Sequence, residues 1–197
     1  MYSLGGILGV DLSGRDGNPT GFCLILEESI VSIGFFRTLK YLLEYIQILK
    51  PKLVSIDSPL NLPARGRFRD CDIMLKKHGM SPLPPAMPSM RMLVERAIIL
   101  TNILSSLGIR YIETFPSGAI RMLGYKRKPR SISERRRYAR EIARLFGLRI
   151  HVDFRMVTKD EFDAFLCALA GYAYLKKQYI AFVGKECTII LPKLPNT

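Results

Sequence analysis

Acidic residues are scarce in this chain. Asp and Glu number 17 against 30 Lys and Arg, leaving a net charge of +13. An imbalance of this size points to a polyanionic partner, nucleic acid above all. The plainer alternatives are solubility and adaptation to heat. Heat adaptation usually enriches Glu alongside Lys and Arg, and Glu is what the chain has little of. Cysteine is sparse too. Cys23, Cys71, Cys167 and Cys187 include no pair at two-residue spacing, so neither a zinc site nor a disulfide framework is expected, and a reducing cytoplasm is. No uncharged apolar run approaches the length of a membrane-spanning helix. The stretch from Met1 to Val10 lacks the basic flank of a signal peptide and is cut short by Asp11. There is no internal repeat and no low-complexity tail. What is present is 48% hydrophobic residue in a chain of 197. That excludes a disordered or fibrous protein and predicts one domain over 1–197.

The order of elements narrows the fold. Gly5 to Leu12 is an apolar run that ends in turn residues, and Thr20 to Leu26 and Ile30 to Phe36 follow at hairpin spacing, so an antiparallel meander is expected. Apolar residues at helical spacing run from Thr38 to Leu49, and Leu53 to Ile56 is a buried strand ending in Asp57. A Pro-rich, basic insertion around 61–90 reads as a long loop with at most one short helix. Helices are expected at Met90–Leu107, at Ser133–Phe146 with Ser133 as N-cap, and at Asp160–Lys176. Arg110 to Phe115 is a fifth strand, and 179–191 closes the chain as a β-hairpin. A meander followed by right-handed crossovers gives a mixed five-stranded sheet of order 3-2-1-4-5, strand 2 antiparallel, with helices on both faces. That is the layout of a ribonuclease H-like α/β domain.

The carboxylates carry the chemistry. Asp11 ends an apolar first strand and Asp57 ends the fourth; as parallel neighbours they would face each other. Two anions so close repel unless a cation lies between them, and oxygen-only ligands favour Mg²⁺ or Mn²⁺. Each Asp could instead merely cap a turn, as Asp does after a strand. Asp160 and Asp163 lie one turn apart at the start of the late helix, with Asp163 beside the apolar stripe of Phe162, Phe165, Leu166 and Leu169. Acids there could equally serve the helix dipole. Glu113 sits inside the apolar fifth strand, which demands a metal or a neighbouring Arg as partner. Glu44 on the first helix is expected to pair with Lys40 on the surface.

Five segments taken together, G-V-D-L-S-G, S-I-D-S-P-L-N-L-P, R-F-R-D-C-D, Y-I-E-T-F-P-S and K-D-E-F-D-A-F-L-C-A, resemble domain-of-unknown-function family 429. They run in order from about residue 6 to residue 170 and cover most of the chain. Members of that family are regarded as ribonuclease H-like nucleases. The resemblance implies a hydrolase with a carboxylate site at Asp11, Asp57, Glu113, Asp160 and Asp163. Its two late aspartates are similar to those of Holliday-junction resolvases of the same fold.

The basic excess is concentrated. Residues 61–150 carry 19 basic and 6 acidic side chains, whereas residues 1–60 are net −1 and residues 151–197 net +1. Candidate phosphate contacts are Arg65, Arg67 and Arg69 in the insertion, then Lys126, Arg127, Lys128, Arg130, Arg135, Arg136 and Arg137, with Tyr125 and Tyr138 interleaved as stacking candidates. A solvated surface is the usual fate of a charge run, but it leaves the scarcity of acid unexplained. The reading these features support is a nuclease acting on nucleic acid by a two-metal mechanism. Asp11 would bridge both ions, Asp57 would hold one, Asp160 or Asp163 the other, and Glu113 would orient water. Two rivals remain. D-L-S-G-R-D-G-N-P-T-G is reminiscent of the phosphate loop of sugar-kinase and actin-type phosphotransferases, which need a second domain. A non-catalytic adaptor of the same fold would have no use for buried anions near phosphate.

Overall fold

The computed structural model describes residues 5–154 and 157–195. Strands β1 (Ile7–Asp11), β2 (Thr20–Leu26) and β3 (Ser29–Phe36) form the expected meander. The β2–β3 turn is made by Glu27 and Glu28, both at positive φ (44° and 64°), the two-residue geometry that matches strand twist. Helix α1 (Leu39–Leu49) starts under the Thr38 cap and ends at left-handed Lys50, before Pro51. Strand β4 (Leu53–Asp57) then lies parallel beside β1. The insertion holds α2 (Asp70–Lys77), and α3 (Pro88–Ser106) leads to β5 (Arg110–Thr114), parallel to β4.

The sheet continues beyond the expected five strands. After α4 (Pro116–Met122) and α5 (Ile132–Leu145), the short β6 (Arg149–Ile150) adds to the outer edge of β3. Helix α6 (Lys159–Leu175) precedes the hairpin of β7 (Tyr179–Val183) and β8 (Thr188–Pro192), and β8 docks in parallel on β5. The full order is β6-β3-β2-β1-β4-β5-β8-β7, with the predicted 3-2-1-4-5 arrangement at its centre. The fold is ribonuclease H-like α/β. The N-cap of α5 is Ser131 rather than Ser133: Ser131 and Glu134 close a reciprocal capping box two residues earlier.

Alternation along the strands decides what each face carries. Leu8, Val10, Val54 and Ile56 face α1 and α3, packing with Leu42, Ile46, Leu100 and Leu104. Ile7, Gly9 and Asp11 point to the opposite face, toward α6. Residues 162–173 of α6 are all buried, and small side chains let the helix backbone come close. A Cβ on Gly9 would stand 2.1 Å from the Ala168 nitrogen, and one on Gly21 would stand 2.2 Å from the Asp160 carbonyl oxygen. These two glycines therefore set the depth at which the start of α6 meets the end of β1.

One sequence expectation fails here. Cys71 on α2 is bonded to Cys187 in the closing hairpin, with 5.8 Å between their Cα atoms. The pair lies 116 residues apart, so no local spacing announced it. It clips the insertion to the hairpin, beside the small core of Leu75, Met80, Phe182, Ile189 and Leu191. Cysteine usage therefore no longer argues for a reducing compartment. Among the described residues no helix is long and apolar enough to cross a membrane.

Candidate metal and nucleic-acid site

Asp11 and Asp57 are directly opposite residues in the parallel β1–β4 ladder, at the carboxyl ends of both strands. Both point to the α6 face. Asp163 reaches the same place from the first turns of α6, with 3% of its surface exposed. At the helix start Thr158 and Glu161 form a capping box, with Glu161 Oε2 accepting from the Thr158 N–H at 2.7 Å, and Asp160 also lies in the first turn, where its charge suits the helix dipole. Asp160 is half-buried one turn before Asp163. It does not line the cleft, but its charge acts on both Asp11 and Asp163.

Asp11, Asp57 and Asp163 line a cleft of about 390 Å³ together with Leu83, Met90, Leu93, Lys128 and Lys159. Burial and mutual repulsion show in their proton affinities. Asp11 lies well above the usual carboxylate range, first through burial and then through the charge of Asp57. Asp57 is pushed up to about 7 by burial and by Asp163. Asp163 is raised by burial, partly offset by Lys128. Lys128 donates to Asp163 Oδ2 at 2.7 Å. Burial works against the Lys128 charge, but Asp163, Asp57 and Asp11 outweigh it and hold the ammonium above its ordinary value.

Glu113 has a different task. It pairs in register with Ile56, not with Asp57. It therefore faces the α3 side of the sheet, one residue out of step with the aspartates. There it meets Arg69, which is fully buried. The Arg69 guanidinium spends all five N–H groups: Nε and Nη2 on Asp72, Nη1 and Nη2 on Glu113, and Nη1 on the Asn61 side-chain Oδ1. Burial opposes its charge, but the Glu113 and Asp72 carboxylates outweigh it and push its pKa up. Glu113 also accepts from the Leu60 N–H at 3.1 Å. Glu113 is thus the partner of an Arg, the alternative its sequence context left open, and it ties the insertion to the sheet. Arg69 is buried and its N–H groups are all spent on these partners, which leaves none for phosphate; with Asp72 and Glu113 it lines the inner wall of the cleft.

The remaining basic candidates divide in the same way. Arg65, Arg67, Lys126, Arg130, Arg136 and Arg137 are exposed, and so is Arg140, one turn beyond Arg136 on the same helix. Arg136, Arg137 and Arg140 share one shallow depression on α5 with Ser133 and Glu141. Arg127 is held by Glu134 through both nitrogens of its fork. Arg135 donates to the Val157 and Arg130 carbonyls and braces the chain. Lys128 belongs to the acid cleft. Tyr125 and Tyr138 pack against each other, ring centroids 4.3 Å apart and tilted by 33°, and both are half-buried against the core.

The donor set fits a hard divalent cation. It is made only of oxygen, and Asp163 Oδ1 is buried with no hydrogen-bond partner. The Lys128 ammonium already stands beside these anions. The acids are not yet gathered around one point. Among the described residues the one trio of acid or thiol ligand atoms within 4.8 Å of one another is Asp70, Cys71 and Cys187, where the sulfurs are spent on each other.

No family model matches this chain. No curated protein matches it in sequence, so the resemblance to family 429 stands on its motifs alone. Among solved structures, the Thermus thermophilus RuvC structure is similar at 13% identity and a TM-score of 0.48, over 87% of this chain and 96% of that one. T. thermophilus RuvC in complex with Holliday junction substrate is similar at 12% identity and a TM-score of 0.47, over 86% of this chain and 95% of that one. Lys128 and Lys159 as cleft residues, and the Arg69–Asp72–Glu113 cluster, are what sequence reasoning missed. The Arg69–Asp72 spacing of three, i to i+3 on a helix start, was the one local signal available for the latter.

Proposed function

We propose that the protein is a metal-dependent nuclease that hydrolyses phosphodiester bonds in nucleic acid. The observation that carries this reading is the convergence of Asp11, Asp57 and Asp163, from two parallel strands and a helix, in a cleft that also holds Lys128 and Lys159. A buried cluster of anions next to a cationic surface is costly in a pure binder. It becomes useful when a cation joins it.

Asp11, Asp57 and Asp163 would hold Mg²⁺ or Mn²⁺, with Asp160 in reach as a further oxygen donor. When bound, such an ion supplies a Lewis acid that neutralises phosphate charge and lowers the pKa of water. The chain's own residues do the rest. Exposed Arg136, Arg137 and Arg140 on α5 and Arg65 and Arg67 in the insertion hold backbone phosphates and fix the strand's path. The Arg69–Glu113–Asp72 cluster keeps the insertion in place as one wall of the cleft. Leu83, Met90 and Leu93 restrict bulk water on the side facing the aspartates.

The test is a panel of labelled single strands, duplexes, RNA–DNA hybrids and four-way junctions, incubated with Mg²⁺ or Mn²⁺. Cleavage by the wild type and its loss in Asp11→Asn and Asp57→Asn are expected, since a missing ligand removes several kcal/mol of transition-state stabilisation. Full activity in either variant, or no cleavage of any substrate, would overturn the proposal.

A further inference from the structure

We propose that Lys128 is a built-in counter-ion: it holds the cation position of the Asp11–Asp57–Asp163 cleft in the metal-free protein and is displaced when a divalent cation binds. The inference rests on the metal reading above and adds a competitor to it.

Three observations lead here. The Lys128 ammonium lies 2.7 Å from Asp163 Oδ2, and the lysine side chain is 27% exposed while the aspartate side chain is only 4% exposed. The charge therefore enters the cleft from its solvent side and can withdraw along the same path. Asp163 Oδ1 has no partner, so Lys128 satisfies only half of that carboxylate. Lysine carries a compact point charge on a flexible stem, the side chain best suited to stand in for a small cation. Lys159 also borders the cleft, but the hydrogen bond to Asp163 is made by Lys128.

An ammonium and a divalent cation cannot share this position, because two cations at contact distance in a partly buried site repel strongly. Binding of the metal and seating of Lys128 are therefore mutually exclusive. The displaced side chain would rejoin Lys126 and Arg130, its exposed neighbours in the segment between α4 and α5. Metal loading would then add one charge to the surface that meets phosphate, and by linkage nucleic acid would favour the metal-loaded form.

The experiment is Mn²⁺ titration by calorimetry, together with thermal melts in chelator and in saturating Mn²⁺, on wild type, Lys128→Met, Lys128→Gln and the exposed control Lys126→Met. Lys128→Met is expected to bind Mn²⁺ roughly tenfold more tightly, equivalent to about 1.4 kcal/mol. It should melt below wild type in chelator, and the gap should close in Mn²⁺. Lys128→Gln should show the same trend, and it serves alone if the Met variant does not fold. Lys126→Met should leave the affinity unchanged. If wild type binds Mn²⁺ and the Lys128 variants bind it equally or more weakly, or melt lower by the same amount with and without metal, Lys128 is only a structural brace and the inference fails. If no form binds Mn²⁺, the metal reading itself fails and takes this inference with it.

Discussion

Replacing Asp57 with Asn should make the metal-free protein more stable at pH 8, against the usual direction for a buried polar site. Asp57 is held near 7, where an unperturbed aspartate sits at 3.8. The folded state therefore binds this proton more tightly than the unfolded chain does. Stability is highest when the carboxyl is protonated in both states, falls as pH rises from about 4 through about 7, and is level above that. The full displacement corresponds to about 4 kcal/mol. Asp57 keeps partial contact with solvent and shares its charge with Asp163 and Lys128, so about 1–2 kcal/mol is the realistic loss. In Asp57→Asn that loss is absent. At pH 8 in chelator the variant should melt roughly 2–8 °C above wild type, given about 2–4 °C per kcal/mol for a chain of this size. At pH 4.5 the two should melt together. Circular dichroism melts across pH 4.5–8 measure both curves. Parallel curves, or an Asn variant that is less stable at pH 8, would show that the aspartates do not strain the metal-free fold.

Arg69→Met should cost about 3–5 kcal/mol in urea unfolding, because it leaves Glu113 and Asp72 buried without their cation. Reducing the Cys71–Cys187 bond should lower stability by about 2–5 kcal/mol, since it closes a loop of more than 100 residues, and Cys71→Ala should match the reduced wild type. Nucleic-acid binding should weaken with salt at a log–log slope near −4 if about five phosphates are neutralised. Arg136, Arg137 and Arg140 changed together to Ala should flatten that slope, while Arg135→Ala should act mainly on stability, because its guanidinium is spent on backbone carbonyls.

The central sheet was readable because its signals are local: apolar runs, turn residues and helix spacing set the order of β1 to β5. The matched positions of Asp11 and Asp57 followed from the same logic, since strand ends of equal length in parallel neighbours come into register. Strand β6 was not legible. Two residues, Arg149 and Ile150, carry no alternation, and their pairing with Ser29 and Ile30 is a tertiary event. The Cys71–Cys187 bond escaped for the same reason. In the basic segments, sequence located the charges but not their duties. Arg65, Arg67 and Arg69 look alike along the chain, yet two stand in solvent and one is buried among carboxylates.

Glu113 shows where a one-dimensional reading of a sheet stops. It lies in the strand next to Asp57, and strand order alone places it beside the aspartates. The register pairs Asp57 with Thr114, and that single step turns Glu113 through the sheet toward α3. What waits there is the Arg69 guanidinium, whose bonds to Glu113 and Asp72 hold the insertion against the carboxyl ends of β4 and β5. The acid that sequence assigned to orienting water therefore shapes the wall of the cleft. The cation hydrogen-bonded to those acids, Lys128, comes from a segment whose charge suggested contact with phosphate. The two assignments change places for one physical reason. Side-chain direction is set by strand register and by packing depth, and residue order along the chain carries neither.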